Sequence, residues 1–278
     1  MANNVGLEFA AQTHTGLVRS HNEDAIVVSV DYNFAILADG MGGYNAGEVA
    51  SGMATSVLKQ LLETGLQRLQ QHSSDFLHSR SKQVQHLMQD SILQTNAAIV
   101  DAAQNDPQYH GMGTTLVTAL FDRDTVTIAH VGDSRAYRLR RGEMVQLTRD
   151  HSLLQEQIDA GMIAPNLARL SLNKNLITRA VGIGCELEVE MHEHQTETGD
   201  LYLFCSDGLS DLLESDEIRD LLLRTESRLN SSCDFLIERA NHYGGQDNIS
   251  VILVQILSHS VKSTGFRERI HRWFQKML

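Results

Sequence analysis

Four aspartates stand at the ends of strongly apolar, strand-like runs of the sequence. They are Asp39 after Phe34–Ala38, Asp133 after Thr127–Val131, Asp207 after Leu201–Cys205, and Asp247 just before Ile249–Val254. A carboxylate beside a core must be exposed, paired or metal-bound, because an uncompensated buried charge is too costly. Carboxylate oxygens are hard ligands that suit Mg²⁺ or Mn²⁺ rather than Zn²⁺. The pattern therefore predicts that these strand ends bind divalent cations.

Each aspartate also belongs to a short motif. Asp-Gly alone is a common turn dipeptide, so no single motif is specific. In chain order the motifs are Gly16-Leu-Val-Arg19-Ser-His-Asn22-Glu23-Asp24, Asp39-Gly40-Met41-Gly42-Gly43, Gly113-Thr114-Thr115, Val131-Gly132-Asp133-Ser134-Arg135, Ser206-Asp207-Gly208-Leu209 and Gly244-Gly245-Gln246-Asp247-Asn248. In this order and spacing the chain resembles the bacterial form of the metal-dependent serine/threonine protein phosphatases, the PPM or type 2C family. The resemblance runs from about Leu7 to Val254.

Strand-like and helix-like patterns predict an α+β fold. Strands are predicted at residues 5–12, 25–30, 34–38, 115–121, 125–131, 135–139, 188–194, 201–205 and 249–256. Helical periods begin at Gly47 and Ser81, with further helices near residues 216–225 and 232–242, and this fits helices packed on sheets. The resemblance implies a four-layer α/β/β/α sandwich, with a central antiparallel β-sandwich, a small flap subdomain, and metals at one end between the sheets.

We expect one phosphatase catalytic domain over residues 1–257, with the flap at about residues 152–182 and a tail over residues 258–278. The polar stretch Gln70–Gln85 is predicted to be an interhelical loop. In the flap, Ser171-Leu172 stand where relatives usually have His-Pro. The tail combines basic residues with apolar residues at helical spacing, which predicts an amphipathic helix. This helix either docks on the acidic body of the domain or contacts a partner or an anionic membrane surface.

Composition excludes several other classes of protein. The net charge of −12 argues against a nucleic-acid partner, which needs a basic footprint. The three cysteines are too few and too scattered for a disulfide framework or a zinc site. The spacing Cys233-x5-Arg239 matches a cysteine-dependent phosphatase, but the intervening residues contain no glycine and two acids, so Cys233 is predicted to be a core residue. The N-terminus lacks the regions of a signal peptide, and we expect a cytoplasmic protein.

The resemblance assigns roles to the acidic residues. It implies that Asp39 bridges two divalent metals with help from the carbonyl of Gly40, and that Asp207 and Asp247 complete the second site. Two such ions would activate a water for in-line attack on phosphorus. Glu23 and Asp24 would hold metal-bound waters, since such partners orient the inner ligands; the alternative is a surface acidic pair.

Four further positions have predicted roles. Arg19 is the predicted phosphate clamp, because a guanidinium can bind two phosphate oxygens at once. Asp133 would hold, with Asp207, a third and weaker metal; the alternative is a surface turn. Asn248 is predicted to support Asp247, and His151 to be part of the flap scaffold. Met41 stands where many eukaryotic relatives have a histidine, so a metal-bound water would have to act as the general acid.

The implied activity is hydrolysis of phosphoserine and phosphothreonine with Mn²⁺ or Mg²⁺, two ions bound tightly and a third more weakly. The partners implied are phosphorylated proteins and a cognate serine/threonine kinase, with a weak membrane or partner contact through the tail. Two alternatives stay open. One is a catalytically silent module that binds phosphoproteins, and the other is a phosphohydrolase of small phosphate esters.

Overall fold

The computed structural model describes residues 5–43, 46–71, 77–164, 167, 176–224 and 228–258. Eleven strands occur in these ranges. They are β1 (Gly6–His14), β2 (Asp24–Ser29), β3 (Phe34–Met41), β4 (Gly113–Thr114), β5 (Leu116–Asp122), β6 (Thr125–Val131), β7 (Arg135–Arg140), β8 (Glu143–Gln146), β9 (Glu190–Gln195), β10 (Leu201–Cys205) and β11 (Ile249–Ser258).

The strands form two antiparallel sheets. One has the order β1-β11-β10-β7-β8, and the other has the order β2-β3-β5-β6-β9, with β4 paired to the end of β3. The long strands are buried on both faces because their apolar residues alternate between two layers. In β11, Val251 and Leu253 belong to the core beneath the helices, whereas Ile252 and Val254 belong to the core between the sheets.

Six α-helices lie in the described ranges. They are α1 (Ala46–Gln71), α2 (Leu77–Asn105), α3 (Leu153–Asp159), α4 (Asp207–Ser210), α5 (Ser215–Arg224) and α6 (Leu229–His242), with a 3₁₀ turn at Pro107–Tyr109. The helix α1 forms because Ala50, Ala54, Leu58 and Leu62 recur every four residues and are all buried on one face. The helix α3 is capped by Ser152, whose hydroxyl accepts a hydrogen bond from the Gln155 amide at 3.2 Å.

Three apolar cores hold four layers together. The first lies between α1, α2 and the outer face of the β2–β9 sheet, and the second lies between α5, α6 and the outer face of the β1–β8 sheet. The third fills the space between the two sheets. The predicted α/β/β/α sandwich with a central antiparallel β-sandwich is therefore confirmed.

The structure corrects some predicted boundaries. The loop predicted at Gln70–Gln85 is too long, since α1 continues to Gln71 and α2 already begins at Leu77. The short strands β4 and β8 escaped prediction because neither presents a run of apolar residues. Residues 165–166 and 168–175 of the expected flap, including Ser171-Leu172, and the tail beyond Ser258 lie outside the described residues. In the described ranges, no helix combines the length and apolar character needed to span a membrane.

Candidate metal centre

Three of the predicted metal ligands, Asp133, Asp207 and Asp247, lie next to the ends of strands that are neighbours in one sheet. Register pairs Arg135 of β7 with Cys205 of β10, and Cys205 with Val251 of β11. Asp133 lies two residues before β7, Asp207 two residues after β10, and Asp247 two residues before β11. The three loops that carry these aspartates therefore meet at the same end of the sheet.

The other sheet contributes Asp24 and Asp39 to this end of the sandwich. They are directly paired in the β2–β3 ladder, so their side chains lie on the same face. Thr114 and Thr115 clasp the backbone of Asp39: the Asp39 amide donates to the Thr115 hydroxyl at 3.1 Å, and the Thr114 hydroxyl donates to the Asp39 carbonyl at 2.8 Å. This gives the Gly113-Thr114-Thr115 motif a physical role, that of fixing Asp39, which sequence reasoning had not assigned.

Hydroxyl groups tie the two sheets together beside the aspartates. The hydroxyl of Ser206 donates to Oδ2 of Asp24 at 2.8 Å and accepts a bond from the Ser250 amide at 2.9 Å. The hydroxyls of Thr115 and Ser134 lie 2.7 Å apart. Neither serine was singled out from the sequence, although both are direct neighbours of the aspartates Asp207 and Asp133.

The carboxylates repel one another. Burial raises the pKa of Asp39 well above its ordinary value, and the negative charges of Asp24 and Asp207 raise it further. Burial likewise raises the pKa of Asp207, with a further contribution from Asp133. Burial raises the pKa of Asp24 to about 6, and burial and the charge of Asp150 raise the pKa of Asp133 to about 7. This crowding of negative charge would be relieved by cations.

The residues present fit divalent metal ions. The Oδ1 atoms of Asp24 and Asp133 are buried and have no hydrogen-bond partner among the described residues, as expected of carboxylates that bind ions. The donors are oxygens, which suit Mg²⁺ and Mn²⁺. Glycine is required directly after Asp39 and Asp207, because a Cβ at Gly40 would lie 2.0 Å from the Gly47 carbonyl oxygen, and one at Gly208 would lie 2.0 Å from the Asn248 carbonyl oxygen.

The first loop places Arg19 and Glu23 at the edge of the cluster. The Arg19 guanidinium donates to Oδ2 of Asp247 at 2.7 Å and is half exposed. The Glu23 carbonyl accepts from the Gly40 amide at 3.0 Å, and burial raises the pKa of the partly buried Glu23 carboxyl. Arg19 is therefore both near the aspartates and open to solvent, as a phosphate-binding group must be.

Asn248 does more than support Asp247. Its Oδ1 accepts from the Glu23 amide at 2.7 Å, and its Nδ2 donates to the carbonyls of Thr15 and His21 at 2.9 and 3.0 Å. Its own amide donates to Oδ1 of Asp247 at 2.8 Å. Asn248 thus fastens the loop that carries Arg19 to the start of β11, a role that the sequence could not reveal because Thr15, His21 and Glu23 are more than 200 residues away.

His151 and Asp150 hold the loop of Asp133. The amide of His151 donates to the Gly132 carbonyl at 2.9 Å, and the Gly132 amide donates to Nδ1 of His151 at 3.2 Å. Asp150 forms a salt bridge of 2.6 Å with Arg135. The predicted scaffold role of His151 therefore extends to the Asp133 turn.

Cys205 and Cys233 take no part in this site. Both are buried in the apolar core beneath α4, α5 and α6, and burial raises the pKa of each thiol to about 12. A neutral buried thiol is a poor nucleophile. The cysteine-dependent phosphatase is therefore excluded on structural grounds as well.

Comparison with known proteins identifies the family. The protein phosphatase 2C family model matches residues 14–254. The chain is 37% identical over 247 residues to the serine/threonine phosphatase stp of Listeria innocua, covering 88% of this chain and 94% of the relative.

Two solved structures share the fold. One is the serine/threonine phosphatase Stp1 of Staphylococcus aureus, with 33% identity, a TM-score of 0.82, and coverage of 93% of this chain and 98% of that one. The other is the catalytic domain of PstP in complex with two manganese ions, with 34% identity, a TM-score of 0.77, and coverage of 91% and 99%. The chain described here belongs to the protein phosphatase 2C family.

Proposed function

We propose that this protein is a metal-dependent serine/threonine protein phosphatase whose carboxylates Asp39, Asp207 and Asp247 bind two divalent ions. The single observation that carries the proposal is the crowding of these carboxylates at one end of the sandwich, where burial raises the pKa of Asp39 and Asp207 and the charge of Asp247 raises both further. The manganese ions of the PstP catalytic domain support the choice of metal. The serine/threonine phosphatases among the relatives support the choice of substrate.

The residues of the chain divide the work. Bound metals supply an activated water and neutralise charge on the phosphate. Asp24 holds the inner ligands in place from its buried position beside Asp39. Asp133 and Asp207 would hold a third, weaker ion, and the carbonyl of Gly40 would contribute to the first site.

Arg19, an exposed cation beside the aspartate cluster, binds the phosphate of the substrate. Its guanidinium exchanges part of its interaction with Asp247 for phosphate oxygens when substrate arrives. Met41 cannot donate a proton, so the leaving alkoxide takes its proton from water rather than from the side chain that follows Gly40.

The physiological partners of the site are phosphorylated proteins, as the named activities of the relatives imply. A cognate serine/threonine kinase, a cytoplasmic location and a contact through the tail stay predictions. A catalytically silent module is the weaker alternative, because loss of catalysis usually removes a metal carboxylate and all three are present.

The test is hydrolysis of a phosphothreonine peptide by the pure protein. Activity should require added Mn²⁺ or Mg²⁺, disappear with a chelator, and fall by at least about 100-fold in Asp39→Asn and Asp207→Asn, because each variant loses a ligand charge. Asp216→Asn, which removes an exposed carboxylate on α5, is the matched control and should leave the rate unchanged.

Turnover that resists the chelator, or wild-type rates in both site variants, would refute the metal mechanism. The same assay with a phosphotyrosine peptide and with small phosphate esters shows whether the protein prefers phosphorylated peptides or small molecules. A kcat/KM that favours the small esters would replace the protein phosphatase with a small-molecule phosphohydrolase.

A further inference from the structure

A second group of side chains that could ligate a metal lies where the edge strand β9 meets β6, and it shares no residue with the carboxylate cluster. Glu190 and His192 are two residues apart on β9, so their side chains lie on the same face of the sheet. Glu190 is directly paired with His130 of β6. The ring of His151 stacks on that of His130, with centroids 4.7 Å apart and planes inclined by 22°. One nitrogen or oxygen atom of each of His130, His151 and Glu190 lies within 4.8 Å of the other two.

His130 has one ring nitrogen without a partner among the described residues. Its Nε2 lies 2.8 Å from the Arg149 carbonyl oxygen, and since a carbonyl only accepts, Nε2 carries the ring proton. The remaining nitrogen, Nδ1, is a lone-pair acceptor that is buried without a partner among the described residues, on a side chain that is fully buried. A histidine that ligates a metal usually donates its other N–H to a carbonyl or carboxylate, as His130 does.

His151 and Glu190 complete the group. Nε2 of His151 lies 3.2 Å from Oε2 of Glu190, while the other carboxylate oxygen, Oε1, lies 2.8 Å from Nε2 of His192. Because the Gly132 amide donates to Nδ1 of His151, Nε2 carries the ring proton in the metal-free protein. A metal ion on Nε2 would take the place of this proton, which would move to Nδ1 at the expense of the bond from Gly132.

We propose that His130, His151 and Glu190 form a binding site for a transition-metal ion of the Zn²⁺ class. Two imidazoles and one carboxylate are a ligand set that Zn²⁺ accepts, with a water in the fourth position, whereas Mg²⁺ prefers oxygen ligands alone. The Glu190 side chain is 26% exposed, so the site has a route to solvent. Burial also lowers the pKa of both histidines, which keeps them in the neutral form that binds metals.

The experiment titrates the full chain with Zn²⁺ in saturating Mg²⁺ and follows the histidine ring nitrogens by ¹⁵N NMR. We expect Nδ1 of His130 and Nε2 of His151 to shift together. The large joint shift of directly coordinated nitrogens distinguishes this site from Zn²⁺ bound among the aspartates, which would contact neither ring and would reach His151 only through its bond with Gly132.

Glu190→Gln should weaken the Zn²⁺ affinity reported by these nitrogens by at least about tenfold, since loss of even an outer partner of a metal ligand costs 10- to 100-fold. Glu193→Gln is the matched control, because it removes the same charge from the opposite face of the same strand. Equal affinity in the two variants would overturn the proposal. So would unchanged His130 and His151 nitrogens in the wild-type protein at saturating Zn²⁺, a measurement that does not depend on any variant folding.

Discussion

Replacing Asp133 by asparagine should stabilise the metal-free protein, and the gain should grow with pH. Burial and the charge of Asp150 raise the pKa of Asp133 to about 7 in the folded chain, against an ordinary value of about 3.9. Between these two values the folded protein binds more protons than the unfolded chain, so its free energy of unfolding falls as the pH rises. Asparagine does not titrate, so the variant does not lose this part of the free energy of unfolding.

The difference of about 3 pH units between folded and unfolded pKa corresponds to about 4 kcal/mol. Asp133 is only 7% exposed, so solvent screening reduces this value little. It is an upper limit for the variant, because the asparagine amide must still find hydrogen-bond partners in the same buried position. We therefore expect Asp133→Asn to exceed the wild type by about 1 to 3 kcal/mol at pH 8, and by close to zero at pH 4.

Urea unfolding of both proteins in a chelator, from pH 4 to pH 8, measures this difference. Comparing variant with wild type cancels the opposing contribution of buried histidines such as His130, whose pKa is lowered. Glu143→Gln, which also removes one carboxylate charge but from an exposed position on β8, is the control and should not reproduce the difference seen for Asp133→Asn. If Asp133→Asn is less stable than the wild type at pH 8, or if the difference does not change with pH, the argument from the burial and neighbouring charge of Asp133 is wrong.

Three further changes test other parts of the site. Arg19→Ala should raise KM for a phosphopeptide more than it lowers kcat, because Arg19 grips phosphate in both ground and transition states; an unchanged KM in steady-state kinetics would remove it from the site. Asn248→Ala removes three side-chain hydrogen bonds and should cost about 2 to 4 kcal/mol in urea unfolding, and a loss below 1 kcal/mol would contradict the fastening role. Truncation after Ser258 should leave hydrolysis of a small phosphate ester within a few-fold of the full chain, whereas loss of catalysis with an unchanged melting temperature would place the tail in the site.

The sequence predicts the long elements well because their apolar periodicity is the same property that drives their burial. The helix α1 and the strand β11 are both anticipated from such patterns. The short strand β8 has little buried surface of its own, so no periodic signal marks it. It forms because β7 offers a neighbouring edge for hydrogen bonding.

The candidate site was predictable for a different reason. Asp39 and Asp207 stand out because a charge next to an apolar run conflicts with burial, and the conflict is visible in the sequence itself. The partners of these aspartates are not visible there. The hydroxyls of Ser206 and Thr115 are ordinary polar groups until the fold brings them against Asp24 and Asp39.

These hydroxyl contacts explain how the sandwich tolerates so much negative charge at one end. Repulsion among the carboxylates acts to separate the loops of the two sheets, while Ser206 bonds Asp24 from one sheet to the other and Thr115 meets Ser134 in the same way. The bond from Ser206 to Asp24 is one to a charged group, which contributes about 1.5 to 3 kcal/mol. This is of the same order as the effect of about 1 to 3 kcal/mol expected from burial and neighbouring charge at Asp133. The Ser206–Asp24 and Thr115–Ser134 hydrogen bonds can therefore hold this end of the sandwich together without metal. The carboxylates are then already close to one another before any cation binds.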